Sequence, residues 1–223
     1  MINLYNEDCL KAMKKMDDNS YDLAIVDPPY GIGLSGGAET KYKNGKNEKG
    51  FTSQNKYKNK NWDKKRPSPE YFTELLRVSK NQVIWGGNYF SDLLPISRGW
   101  IYWDKKITNV NNYKFSNGEL AWTSFDCILQ KFTYDWIGFG YINNPQKERK
   151  IHPTQKPVAL YTWILNNYAK PGDKILDTHL GSGSIAIACH NLGFDLDGYK
   201  LDVDYFEAAT KRLKEHQRQL KLF

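Results

Sequence analysis

The chain of 223 residues has only three cysteines, Cys9, Cys127 and Cys189, far apart and without paired spacing. Neither a disulfide framework nor a cysteine-rich metal site is expected, and the thiols fit a reduced setting. No apolar run approaches the ~20 residues that cross a bilayer, and no leader-like segment precedes Tyr5, so a cytoplasmic protein without membrane partners is expected. The four histidines, at 152, 179, 190 and 216, show no ligand spacing with the cysteines. No metal is expected.

The sequence has positive charge, and it is concentrated. The net charge is +7, and residues 36–66 contain ten Lys or Arg against three acids, so the rest of the chain is close to neutral. Tyr42, Phe51, Tyr57 and Trp62 lie among the lysines. A local positive field interleaved with rings points to a docked polyanion, and nucleic acid moves ahead of a merely solubilising loop. The stretch 31–65 lacks periodicity and reads as a long functional loop.

Around that loop the pattern is α/β. Ile2–Tyr5 reads as a strand, Asp8 as a cap for the helix carrying Cys9, Ala12, Met13 and Met16, and Tyr21–Val26 as a buried strand. Pro67–Lys80 reads as a helix, Gln82–Trp85 as a strand, and Trp100–Trp103 and Leu120–Leu129 as further strands. Pro157–Ala169 is a helix, Lys174–Asp177 a strand, Ile185–Leu192 a helix, Asp195–Leu201 a strand and Asp204–Leu220 the last helix. Phe206, Ala209, Leu213 and Leu220 form the inner stripe of that last helix.

Two stretches carry chemistry. Asp27-Pro28-Pro29-Tyr30 presents a carboxylate and a ring on a rigid backbone where a strand ends, the place where open α/β sheets bind ligands. Gly181-Ser182-Gly183 follows another strand and opens a helix, a device that brings backbone N–H groups close to a ligand. It lacks the third glycine of the dinucleotide fingerprint, and by itself a structural tight turn explains it as well.

Asp27-Pro28-Pro29-Tyr30 together with Asp177-Thr178-His179-Leu180-Gly181-Ser182-Gly183 resembles the S-adenosylmethionine-dependent DNA amino-methyltransferases. With the catalytic motif first, the order is that of the β group, and His152-Pro153-Thr154-Gln155-Lys156-Pro157 matches a third motif. The compact form, with Trp85-Gly86-Gly87-Asn88-Tyr89-Phe90, resembles solitary methylases of phages and prophages. The resemblance implies a single Rossmann-like methyltransferase domain over 1–223. It also implies a circularly permuted, mostly parallel sheet with an antiparallel strand at one edge, and a basic insertion at 33–66.

The same resemblance implies the site residues. Asp27, Pro28 and Tyr30 would act on a flipped base, with adenine N6 favoured over cytosine N4 or an RNA amine. Gly181, Ser182 and Gly183 would hold the methionyl part of S-adenosylmethionine with the cofactor-site residue Asp177 close behind them, Thr154 and Lys156 would face its carboxylate, and Asp8 would meet its adenine amino group. Where the family has an acid for the ribose hydroxyls this chain has Lys200, which has no acceptor. Asp202 or Asp197 would have to substitute, or cofactor affinity would be reduced; a catalytically silent cofactor-binding or DNA-binding protein is the competing class that Lys200 motivates. Double-stranded DNA would dock on Lys41–Arg66, a homodimer is a further expectation, and Thr133–Ile151 alone remains for target recognition.

Overall fold

The computed structural model describes residues 1–33, 60–106, 116–136, 148 and 150–219. Most of the basic stretch and most of Thr133–Ile151 lie outside these residues.

Among the described residues, eight strands form one mixed sheet. In chain order the elements are β1 (Ile2–Tyr5), α1 (Cys9–Met13), β2 (Tyr21–Val26), α2 (Pro69–Val78), β3 (Ser79–Trp85), β4 (Trp100–Asp104), β5 (Gly118–Thr123), β6 (Gln130–Thr133), α3 (Val158–Tyr168), β7 (Lys174–Asp177), α4 (Ser184–Leu192), β8 (Asp195–Tyr199) and α5 (Val203–Arg218). Across the sheet the strand order is β1-β8-β7-β2-β3-β5-β4-β6. The permutation is visible in the pairing: the first strand lies beside the last, Ile2 against Leu196.

β2 and β7, distant in sequence, are parallel neighbours, with Leu23 opposite Ile175 and Ala24 opposite Leu176. From β2 the sheet continues through β3, whereas from β7 it continues the other way through β8. Their carboxyl ends therefore flank a topological switch point, where a crevice opens.

Alternation along β2 divides the core. Leu23 and Ile25 join Val83, Trp85 and residues of α3 and α4 on one face, while Ala24 and Val26 pack with Ile84, Phe72 and Leu75 on the other. Both faces are covered, so β2 reads as a continuous apolar run rather than an alternating one.

Several boundaries differ from the sequence reading. Ser68 caps α2 by accepting from Tyr71 N, and the helix stops at Val78 because Ser79 is already extended, so β3 begins three residues before Gln82. Leu76 is only partly buried, unlike Phe72 and Leu75. The stretch Leu120–Leu129 is not one strand. β5 ends at Thr123, whose hydroxyl donates to Gly99 O, and Ile128 and Leu129 are exposed. β6 then pairs in parallel with β4. The strand that runs against the rest is β5, which lies third from the β6 edge rather than at the edge. β8 ends at Tyr199, and α5 buries Tyr205, Ala209 and Leu213, with Phe206 only partly buried and Leu220 outside the described residues.

Candidate active site

A cleft at the switch point is lined by Asp27, Pro29, Trp62, Thr154, Lys156, Tyr161, Leu180, Gly181, Ser182 and Lys200, with His152, Gln155 and His179 completing it. It holds about 440 Å³ of space, part of it open to solvent. Residues from all three motifs meet there, drawn from positions as far apart as 27 and 200.

Asp27 follows β2 directly, and each of its carboxylate oxygens is engaged. Oδ1 accepts from the Tyr30 hydroxyl at 2.7 Å, and Oδ2 accepts from Lys156 Nζ at 2.6 Å. The Tyr30 ring stacks on Tyr89 with centroids 4.9 Å apart and meets Phe90 edge-on. Gly86 has φ +70°, and a Cβ there would come within 2.2 Å of the Tyr30 ring. The glycine is needed both for its conformation and for this close approach.

Lys156 is the least exposed charge in the cleft, its side chain 4% accessible. Besides Asp27 it faces Glu119 Oε2 at 3.0 Å, and Lys105 pairs with the other Glu119 oxygen. Burial lowers the Lys156 pKa, and the Asp27 and Glu119 carboxylates more than reverse that, so it stays an ammonium. Burial likewise disfavours the Glu119 charge, but Lys156 and Lys105 hold its carboxyl down at about 2. Lys156 is therefore held on Asp27, whatever else it meets in the cleft.

The glycine turn takes the form its sequence requires. Gly181 and Gly183 have φ of +54° and +73°, and Gly183 is the residue before α4. Arg212 of α5 braces the turn by donating to Ser182 O at 3.0 Å and Ser184 Oγ at 2.9 Å, and its other nitrogen pairs with Glu148 at 2.8 Å. Glu148 also accepts from Val158 N at the start of α3. Arg212, Glu148 and Glu119 carry no motif and give no signal in the sequence beyond being charges in amphipathic or strand surroundings.

Behind the turn, Asp177 is 2% exposed and accepts from His179 N at 2.8 Å. Burial raises its carboxyl to about 7, with Asp27 adding and Lys200 and Lys156 opposing. Burial lowers His179 to about 3, and burial together with Lys200, Lys150 and Lys156 keeps His152 well below its usual value. Both rings are neutral at pH 7.

Asp8 caps α1, accepting from Leu10 N and Lys11 N. Both bonds fall on Oδ1, so the cap leaves Oδ2 unused. Thr154 is exposed at the cleft. Asp202 is drawn elsewhere: its two oxygens lie 2.6 Å from Lys60 Nζ, and Oδ1 also caps α5 at Tyr205 N. Asp197 bonds Asn3 and Tyr21 and pairs with Lys174. Neither acid lines the cleft, whereas Lys200 does, its ammonium over the rings of Trp62 and Tyr205. Among the described residues Lys200 makes no ion pair within 4.0 Å. Among them too, no cluster of three His, Cys, Asp or Glu could hold a metal, and no helix is long and apolar enough to cross a membrane.

The sequence matches the profile of the N6/N4 DNA methylase family over residues 42–211, which includes the His-Pro-Thr and glycine motifs but not Asp27–Tyr30. It is 27% identical to the type II methyltransferase M.HinfI of Haemophilus influenzae over 93% of this chain and 67% of that protein. Against M.HpaI of Haemophilus parainfluenzae the identity is also 27%, over 92% and 71%. In three dimensions it resembles M1.HpyAVI, solved as a complex with SAM (TM-score 0.61, 20% identity, 96% of this chain and 99% of that one). It also resembles the PvuII cytosine-N4-specific DNA methyltransferase (TM-score 0.58, 13% identity, 96% and 90%). With 170 of its 223 residues matched and the motifs gathered in one cleft, the chain belongs to the N6/N4 DNA methylase family.

Proposed function

We propose that this methylase transfers a methyl group from S-adenosylmethionine to the N6 amine of an adenine flipped out of double-stranded DNA. The observation that carries this reading is the Asp27–Tyr30 corner, one strand from the glycine turn and open to the same cleft.

The residues fit the cofactor. Gly181 and Ser182, just ahead of α4, would hold the methionyl part with Gly183 shaping the turn, and Thr154 would face the carboxylate; Asp8 does not itself line the cleft, and its Oδ2, unused by the cap, would serve the adenine amino group. When bound, S-adenosylmethionine supplies a methyl on a sulfonium, already activated for transfer. M1.HpyAVI, solved with SAM, shares the fold.

The protein's task is then alignment of a poor nucleophile, because the amine lone pair is delocalised into the base. Asp27 accepts one amine N–H through a lone pair that Tyr30 and Lys156 leave free, and the Pro28 carbonyl accepts the other. The two acceptors draw the nitrogen toward tetrahedral geometry. A base reaches this corner only outside the helix stack, and Tyr30 offers it a ring worth about 1 to 3 kcal/mol in stacking. Stacking on the face now covered by Tyr89 requires Tyr89 to swing away.

We read 1–223 as one methyltransferase domain in which the basic stretch 33–66, largely outside the described residues, contacts DNA phosphates through Lys41–Arg66. The runner-up is transfer to cytosine N4, favoured by the shared fold with the PvuII enzyme. Incubation with labelled cofactor and mixed-sequence DNA, followed by nucleoside mass spectrometry, separates N6-methyladenine, N4-methylcytosine and no product. Asp27→Ala should lower transfer by at least a hundredfold with cofactor binding intact; near wild-type transfer would overturn the mechanism.

A further inference from the structure

We propose that Glu119 is a positioning residue for methyl transfer, acting on Asp27 through Lys156. The inference rests on the acceptor role of Asp27 given above, and it concerns a residue outside every motif.

Four side chains of alternating charge run from the sheet interior to the cleft. Lys105, just after β4, pairs with Glu119 on β5; Glu119 faces Lys156 at 3.0 Å; and Lys156 donates to Asp27 at 2.6 Å. An ammonium has three donors. Here one goes to Asp27, Tyr30 Oη lies 3.4 Å from the same nitrogen, and Glu119 Oε2 is held 3.0 Å away as an ion pair rather than an aligned hydrogen bond. With the Lys156 side chain 4% exposed, water does not compete for these directions.

This arrangement does two things for Asp27. It fixes the plane of the carboxylate between two donors, Tyr30 on Oδ1 and Lys156 on Oδ2, so that the remaining lone pairs have defined directions. It also divides the ammonium between two carboxylates, leaving Asp27 less neutralised and a stronger acceptor for an amine N–H. Without the Glu119 charge the ammonium belongs to Asp27 alone, and it is no longer anchored from the β5 side. Glu119 touches neither base nor cofactor in this scheme. Its effect falls on the transfer step.

The test uses full-length protein, single-turnover transfer from labelled S-adenosylmethionine to DNA, and calorimetric cofactor binding, with Asp27→Ala alongside. Glu119→Gln should slow transfer at least tenfold while cofactor and DNA dissociation constants stay within twofold. Glu119→Asp, which keeps the charge on a shorter arm, should fall between the two. Wild-type rates in Glu119→Gln beside an inactive Asp27→Ala would overturn the proposal, as would cofactor affinity lost in proportion to rate. An active Asp27→Ala would instead sink the acceptor reading on which it rests. If Glu119→Gln does not fold, Glu119→Asp decides: slower transfer at unchanged affinity supports the role, and a wild-type rate refutes it.

Discussion

Asp177 stores a pH-dependent cost that a single substitution removes. Its carboxyl is raised from 3.8 to about 7, with burial as the largest cause. The unfolded chain releases this proton near 3.8, whereas the folded protein holds it to about 7. The contribution is therefore fully favourable below about pH 4 and is lost as pH rises through 7. At about 1.4 kcal/mol per pH unit, a displacement of about three units caps the loss at about 4 kcal/mol. That is a large share of the 5–15 kcal/mol typical of domains.

Asp177→Asn preserves volume and the acceptor for His179 N but cannot ionise. It should exceed wild type by roughly 1.5 kcal/mol at pH 5 and by up to about 4 kcal/mol at pH 8. Urea denaturation of both proteins across that range measures the difference. His152 and His179, buried and neutral, add their own loss of stability as pH falls below 6.5, but they do so in both proteins. The difference therefore isolates Asp177. A stability gap that does not change between pH 5 and pH 8 would refute the reasoning.

Two further outcomes follow from the cleft. Gly86→Ala places a methyl group 2.2 Å from the Tyr30 ring at φ +70°; strain and overpacking should cost about 2–4 kcal/mol by denaturation, with transfer impaired more than cofactor affinity. Lys200→Glu puts an acid where the family usually has one, and calorimetry should show cofactor affinity rising about tenfold, in line with a hydrogen bond to a charged group; unchanged or weaker binding would mean that position 200 does not face the ribose.

The positions of the elements were legible from periodicity because both faces of the sheet are covered. β2 and β7 read as short apolar runs, α2 and α5 as amphipathic stripes, and the Asp27 and glycine corners as breaks at strand ends. The Leu120–Leu129 reading failed because apolar content alone does not say that Ile128 and Leu129 face solvent. The Asp202 expectation met a different competitor, since a short acid beside a helix start is claimed by the cap and by Lys60.

The sequence by itself determined the α/β class, the two chemical corners and their order, because these depend on local backbone demands: prolines after a carboxylate, and glycines where φ is positive. Only the tertiary structure decided that β7 lies beside β2, so that both corners open on one cleft. It alone paired Lys156 with Asp27, set Glu119 behind that pair, and braced the glycine turn with Arg212. Those contacts join residues up to 152 positions apart. Charge pairing across such separations follows from strand order, which no local pattern encodes.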